Sequence, residues 1–284
     1  MTEPPDNGRP AIRRVVVLSD TSAAGRATLE AAAELAARQG AELVTLFVED
    51  ADLLRVAGLP FAREVGETSA MARPMELATI ERRLQDQAAE LRRLLQQLEA
   101  RHALHWTLRI ARGRAESEAL AAAQSGDLLV VGKRGWARLP HRRLGSTPRL
   151  LLDQARVSLM VYSRPATADH PVLVLFDDPT SGPRNLALAR YIAPTPGGRL
   201  ALLLPPGTAT ATAALRQAAE QAVREQGVAA EIRALTGNEV KALSRTVLQE
   251  AASALVVSRA SPVLAGTMGQ GLVENLDIPV VVVP

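Results

Sequence analysis

Val15-Val16-Val17-Leu18 is an uninterrupted apolar run that closes on Asp20-Thr21-Ser22. A run this short and this apolar reads as a strand buried on both faces, which belongs to a parallel sheet covered by helices. The chain repeats the device. Asp127 to Val131, Val172 to Phe176, Ala254 to Ser258 and Ile278 to Val283 all read as buried strands. Parallel strands cannot be joined by tight hairpins and need crossovers, usually helical. The stretches between these runs supply them.

Read in order, Arg13 to Ser19 is the first strand. Asp20-Thr21-Ser22 can cap a helix over Ala23 to Arg38, which Gly40 ends. Ala41 to Val48 is the second strand, and the three elements make one βαβ unit. From Glu49 to Pro74 the periodicity lapses, with a short helix near Asp52 to Val56. This insertion reads equally as a lid or as a surface excursion. Pro74 to His102 is a long helix in which Leu77, Leu84, Leu91 and Leu98 recur every seventh residue. Such a repeat fits a coiled coil. It fits better a crossover helix lying on a sheet, because Ile80, Ala88, Leu94 and Leu95 widen the stripe. Leu104 to Ile110 is the third strand, Gly113 to Ala123 a helix, Asp127 to Val131 the fourth strand. Thr147 to Gln154 is helical, and Val157 to Tyr162 is the fifth strand.

Arg164 to His170 is polar and flanked by prolines, so it reads as a linker. Strands then recur at 172–176, 199–204, 228–235, 254–258 and 278–283. Helices fall at 183–192, 208–226, 238–252 and 267–275. The chain is therefore an internal repeat, with two domains expected over 13–163 and 171–284.

One connection carries chemistry. The fourth strand runs into Gly132-Lys133-Arg134-Gly135, and nine residues later Gly145-Ser146-Thr147 opens a helix. Glycines let backbone N–H groups approach an anion, and a helix start adds unpaired donors with a partial positive charge. Lys133, Arg134, Arg138, Arg142 and Arg143 make the loop basic, with no acidic residue between Gly132 and Thr147. Strand, spacing and helix start together favour a phosphate cradle over the plainer alternative, a solvated basic loop with turn glycines.

The spacing Gly132-x2-Gly135-x9-Gly145-Ser146 resembles the ATP-binding motif of the universal stress protein family, and residues 13–162 are similar to one such domain along their length. Residues 172–284 resemble a diverged copy. The resemblance implies two tandem α/β domains. Each would be a five-stranded parallel sheet of order 3-2-1-4-5 with helices on both faces, with ligand at the strand C-termini where the order reverses. It implies ATP, with or without Mg, as the ligand. Residue by residue, it implies Leu18 and Asp20 near the adenosine and Val48 meeting adenine through its backbone. Val131, Gly132 and Gly135 would begin the phosphate loop, and Gly145, Ser146 and Thr147 would end it. Asp20 is equally well read as an ordinary helix cap, and Lys133, Arg134, Arg142 and Arg143 as either phosphate-neutralising or solvated.

The second half departs from the pattern. Aligning its strands places Ser258 on Gly132 and Gly266-Thr267 on Gly145-Ser146, which shortens the loop and removes its first glycine. Asp177 or Asp178 still follows its first strand. One nucleotide per chain is the expectation. Order 3-2-1-4-5 also leaves Val157 to Tyr162 and Ile278 to Val283 at sheet edges. Bare apolar edges are normally covered or paired, so the two should pair with each other and make the chain an intrachain pseudo-dimer. Pro279 should then sit where its missing N–H faces away from the partner.

Other chemistry is excluded residue by residue. Gly126 and Gly132-Lys133 are separated by five residues rather than the four of a P-loop, and no hydroxyl residue follows the lysine. No G-x-G-x-x-G and no G-x-S-x-G occurs. His102 and His105 have no clustered carboxylate and read as a solvated pair, so no metal site and no catalytic residue is assigned. Net charge is +3 from 33 basic and 30 acidic residues, and aromatics are 2%, which argues against nucleic acid. No apolar run approaches a membrane span, and the absence of cysteine is compatible with a reducing cytoplasm. The leading reading is a cytoplasmic ATP-binding regulatory module with an unknown protein partner. The alternatives are a slow ATPase or other nucleotide-using enzyme in the same cleft, and a scaffold whose loop is vestigial.

Overall fold

The computed structural model describes residues 12–65, 72–134, 144–165, 169–195, 197–236 and 239–284. The first half runs β1 (Arg14–Leu18), α1 (Ala23–Gln39), β2 (Glu42–Asp50), α2 (Ala51–Ala57), β3 (Arg63–Val65), β4 (Ala72–Pro74), α3 (Leu77–Arg101), β5 (Trp106–Gly113), α4 (Ala115–Ala122), β6 (Leu128–Gly132), α5 (Ser146–Gln154) and β7 (Ser158–Tyr162). The second half runs β8 (Val172–Leu175), α6 (Gly182–Ile192), β9 (Leu200–Leu204), α7 (Ala209–Gln226), β10 (Ala230–Ala234), α8 (Glu239–Gln249), β11 (Ala254–Ser258), a 3-10 turn (Pro262–Leu264), α9 (Gly266–Asn275) and β12 (Val280–Val283).

Ten strands form one sheet in the order β10-β9-β8-β11-β12-β7-β6-β1-β2-β5. Within each half the strands are parallel in the order 3-2-1-4-5. The halves join where β12 lies antiparallel to β7, with Val280 opposite Val161, Val281 opposite Met160 and Val282 opposite Leu159. Two apolar edges thereby remove each other from solvent. Pro279 stands just before this ladder; its carbonyl accepts the Leu255 N–H of β11 at 3.0 Å, so its nitrogen also lies on the β11 side, away from β7.

The strand pleat divides the core into two layers. Val15, Val17, Val281 and Val283 face one layer; Val16, Val280 and Val282 face the other. The first layer packs α1, α3, α6 and α7, the second α4, α5, α8 and α9, and each runs unbroken from one half into the other. The leucine stripe of α3 serves the first layer, where Ile80, Leu84, Ala88, Leu91, Leu95 and Leu98 are buried. It is a sheet-facing stripe rather than a coiled-coil seam.

Several element ends move from their sequence-based positions. β2 runs past Val48 to Asp50 and β5 runs to Gly113, because the β2–β5 ladder continues to the pair Asp50–Gly113. α3 starts at Leu77 rather than Pro74. Residues 72–74 are drawn into an antiparallel hairpin with 63–65, and the Met75 N–H is taken by the Ala62 carbonyl at 2.9 Å. That hairpin gave no alternating pattern to read. α1 ends as expected at Gly40, which adopts φ 64°, a left-handed conformation that glycine reaches without steric cost.

Candidate functional site

The strand order of the first half reverses between β1 and β6, and the crevice at such a switch point is where open α/β sheets take their ligands. A cavity of about 520 Å³ lies there. Leu18, Asp20, Val48, Val131, Gly132, Gly145, Ser146 and Thr147 all line it. Gly135, Arg138, Arg142 and Arg143 lie outside the described residues.

Each lining group is held by local structure. β1 ends at Leu18, and the Ser19 N–H is tied to the Leu46 carbonyl at 3.1 Å. Asp20 follows. Its Oδ1 accepts the Ser22 N–H at 2.8 Å and also the Ser22 hydroxyl, while Ser22 itself caps α1 by accepting the Gly25 N–H at 3.0 Å. Asp20 therefore braces the capping residue and still borders the cavity. On β2, Val48 lines the wall, and Asp50 caps α2 by accepting from Asp52 at 2.8 Å and Leu53 at 3.2 Å.

The glycine loop springs from β6. The N–H of Lys133 donates to the Tyr162 carbonyl at 2.7 Å, and the Lys133 carbonyl accepts the Gly145 N–H at 3.1 Å, which closes the neck of the loop. Gly145 is the N-cap of α5 in extended conformation, φ −61° and ψ 161°, and supplies no side-chain cap. The first-turn N–H groups of Ser146 and Thr147 are therefore left for another acceptor, at the positive end of the helix.

The basic residues of the loop divide. Arg134 is exposed and borders the cavity. Lys133 does neither, which corrects the expectation of a solvated side chain. It is 4% exposed, and its Nζ donates to the Leu276 carbonyl at 2.7 Å and lies 3.5 Å from Asp277 Oδ1, both in the second half. A buried ammonium needs such acceptors, and the turn before β12 provides them.

Sequence reading missed Gly25, Phe47, Asp50, Leu53 and Leu84, which also line the cavity, as do Ser19, Ala115, Leu144 and Pro148. Phe47 and Leu84 look like any other core residue in the sequence. Gly25 carried a signal, since a glycine in the first turn of an alanine-rich helix forgoes helix propensity. A Cβ there would lie 2.1 Å from Asp20 Oδ1.

The equivalent crevice of the second half is filled. Strand register puts Phe176 where the first half has Ser19, and Asp177 where it has Asp20. The Phe176 ring packs so closely on Gly182 that a Cβ there would meet it at 2.4 Å. The shortened loop folds into the 3-10 turn Pro262–Leu264, which buries Val263 to 1% exposure in the core. Both Asp177 carboxylate oxygens are buried without a hydrogen-bond partner among the described residues. Burial pushes the Asp177 carboxyl above its ordinary range, and the nearby Ser261 hydroxyl opposes this without reaching bonding geometry.

Fold and crevice together define a duplicated, doubly wound α/β protein with an open switch-point cleft in its first half. The universal stress protein family profile matches residues 11–163, more than half of the 284, and the chain belongs to that family. A universal stress protein from Archaeoglobus fulgidus is similar in structure, with TM-score 0.69 at 16% identity, over 95% of this chain and 98% of that one. A functionally unknown protein from Pseudomonas aeruginosa gives 0.65 at 19% identity, over 98% of this chain and 94% of that one. The cytoplasmic domain of a prokaryotic cation chloride cotransporter gives 0.53 at 11%, over 95% and 94%. These likenesses span both halves and show the fold. No curated protein sequence matches the chain. No helix among the described residues is long and apolar enough to cross a membrane.

Proposed function

We propose that this universal stress protein is a cytoplasmic, regulatory stress-response module that binds one ATP per chain, with or without Mg, in the cleft of the first half. The observation that carries the reading is convergence. Leu18, Asp20, Val48, Gly132, Gly145, Ser146 and Thr147, scattered over some 130 residues of sequence, line one cavity of about 520 Å³. That volume lies in the ordinary range for small-molecule sites of about 300–1,000 Å³. Leu18, Phe47, Val48 and Leu53 offer an apolar surface to a base, and the start of α5 offers N–H donors to phosphate. A residue bulkier than glycine at 132 would crowd Thr28 Oγ1, already 3.1 Å from a Cβ built there.

Binding without fast turnover fits the lining better than catalysis does. The two carboxylates among its described lining residues, Asp20 and Asp50, are engaged in bracing a cap and in capping a helix. The second half, over residues 171–284, has a structural role beside the nucleotide domain of residues 13–163, and a protein partner reads the nucleotide state.

The test is to denature the purified chain and identify any released nucleotide, then to titrate ATP into the nucleotide-free full-length protein. A stoichiometry near one supports the reading. Absence of binding would leave the loop vestigial, and a stoichiometry near two would show that the filled crevice opens. Steady-state phosphate release separates the module from a slow ATPase.

A further inference from the structure

The residue after each fourth strand crosses the junction between the halves. Lys133 follows β6, and its Nζ donates to the Leu276 carbonyl at 2.7 Å, just before β12. Arg259 follows β11, and its Nη1 donates to the Leu152 carbonyl on α5, shortly before β7. Their backbones match as well: each N–H donates to the end of the neighbouring strand at 2.7 Å, Lys133 to Tyr162 and Arg259 to Val283. The two contacts are counterparts across the pseudo-twofold of the sheet. They differ in what each residue holds. The Lys133 carbonyl receives the Gly145 N–H at 3.1 Å, so Lys133 is part of the neck that sets the glycine loop and the start of α5. After Arg259 the chain turns at once, the Ser261 N–H donating to the Ser258 carbonyl at 3.1 Å, and the crevice there is filled.

Lys133 is thus fixed at two ends. Its backbone joins Gly132 to Gly145 at the cleft, and its side chain is 4% exposed and anchored in the other half. Arg149 on α5 adds a parallel tie to Glu274 on α9 at 2.8 Å. We propose that the second half sets the geometry of the first half's cleft through Lys133, a positioning residue that ties the neck of the glycine loop to the Leu276–Asp277 turn. This rests on the nucleotide reading for its consequence, and on the geometry alone for the tie. Coupling of this kind is reciprocal: a ligand held at the neck must also bear on the Leu276–Asp277 turn.

The experiment uses the full-length chain and three forms of it: wild type, Lys133→Met and Arg259→Met. Methionine keeps an unbranched side chain while removing the donors. Hydrogen exchange without ligand is measured first. Faster exchange across 132–147 in Lys133→Met, and not in Arg259→Met, is the expected result. Equal exchange there in wild type and Lys133→Met overturns the tie. ATP and adenosine are then titrated. Lys133→Met should weaken ATP about ten-fold and adenosine less than about two-fold, because only the phosphates meet the loop. Equal losses in both variants would show general loosening of the junction and would also overturn the proposal. Should Lys133→Met not fold, wild-type exchange at 272–280 decides: protection by ATP supports the coupling, and no change refutes it. Wild type that binds no ATP refutes the nucleotide reading, and the ligand-free exchange still decides the tie.

Discussion

A Cβ on Gly25 would lie 2.1 Å from Asp20 Oδ1 and 2.5 Å from the Asp20 carbonyl oxygen. The third residue of α1 is glycine because Asp20 folds back over it to brace Ser22. Gly25→Ala gains about 1 kcal/mol of helix propensity but must push Asp20 away from the cleft. ATP and adenosine affinity should both fall about ten-fold, with helix content unchanged by circular dichroism. Unaltered affinity in a calorimetric titration would remove Asp20 from the binding surface.

Arg134 is exposed at the cavity rim, so its charge acts on phosphate through solvent. Arg134→Gln should weaken ATP binding a few-fold at about 0.05 M salt and hardly at all near 0.5 M, where screening shortens the reach of exposed charges. Adenosine affinity should not respond. A loss that persists at high salt would place the guanidinium in direct, desolvated contact.

Asp177 links stability to pH. Burial raises its carboxyl above the ordinary value of 3.8. A carboxyl raised on folding favours the folded state fully below the unfolded value, and that contribution is lost as pH rises through the folded value. Asp177→Asn removes the ionisation. Its stability relative to wild type should therefore rise as pH climbs from about 4, the unfolded value, through the raised folded value, and then level. Urea unfolding of both proteins across this range checks the sign; a difference that falls with pH would contradict burial as the dominant cause.

Leu159 is fully buried at the junction of the halves, opposite Val282. Leu159→Ala should cost about 2–5 kcal/mol, the range for emptying a well-packed leucine site. Because the core layer it serves spans both halves, the loss should appear as one shifted urea transition, with faster amide exchange on both β6 and β11. Two separated transitions would show that the halves unfold independently.

The strands were the most legible part of the sequence. Val15 to Leu18 and Val280 to Val283 read as strands because they are mostly β-branched, bounded by turn residues and too short for a buried helix. The hairpin at 63–65 and 72–74 was illegible for the opposite reason: three-residue strands with exposed side chains leave no hydrophobic alternation. Of the cleft, the glycines and hydroxyls around β6 and α5 could be read, because the chain must turn there in a restricted way. Phe47 and Leu84 could not, because a residue lining a cavity and a residue filling a core obey the same burial rule.

The sequence by itself determined the duplicated α/β plan, the parallel strands and the one complete glycine loop. Each of these depends on local periodicity or spacing. Tertiary structure alone decided where Lys133 points. A lysine between two glycines carries the same charge and propensity whether it faces phosphate, water or protein. Only the antiparallel meeting of β7 and β12 brings the Leu276 carbonyl within 2.7 Å of its Nζ and makes burial of the ammonium affordable. The same meeting decided that two domains legible as separate repeats share both layers of a single core.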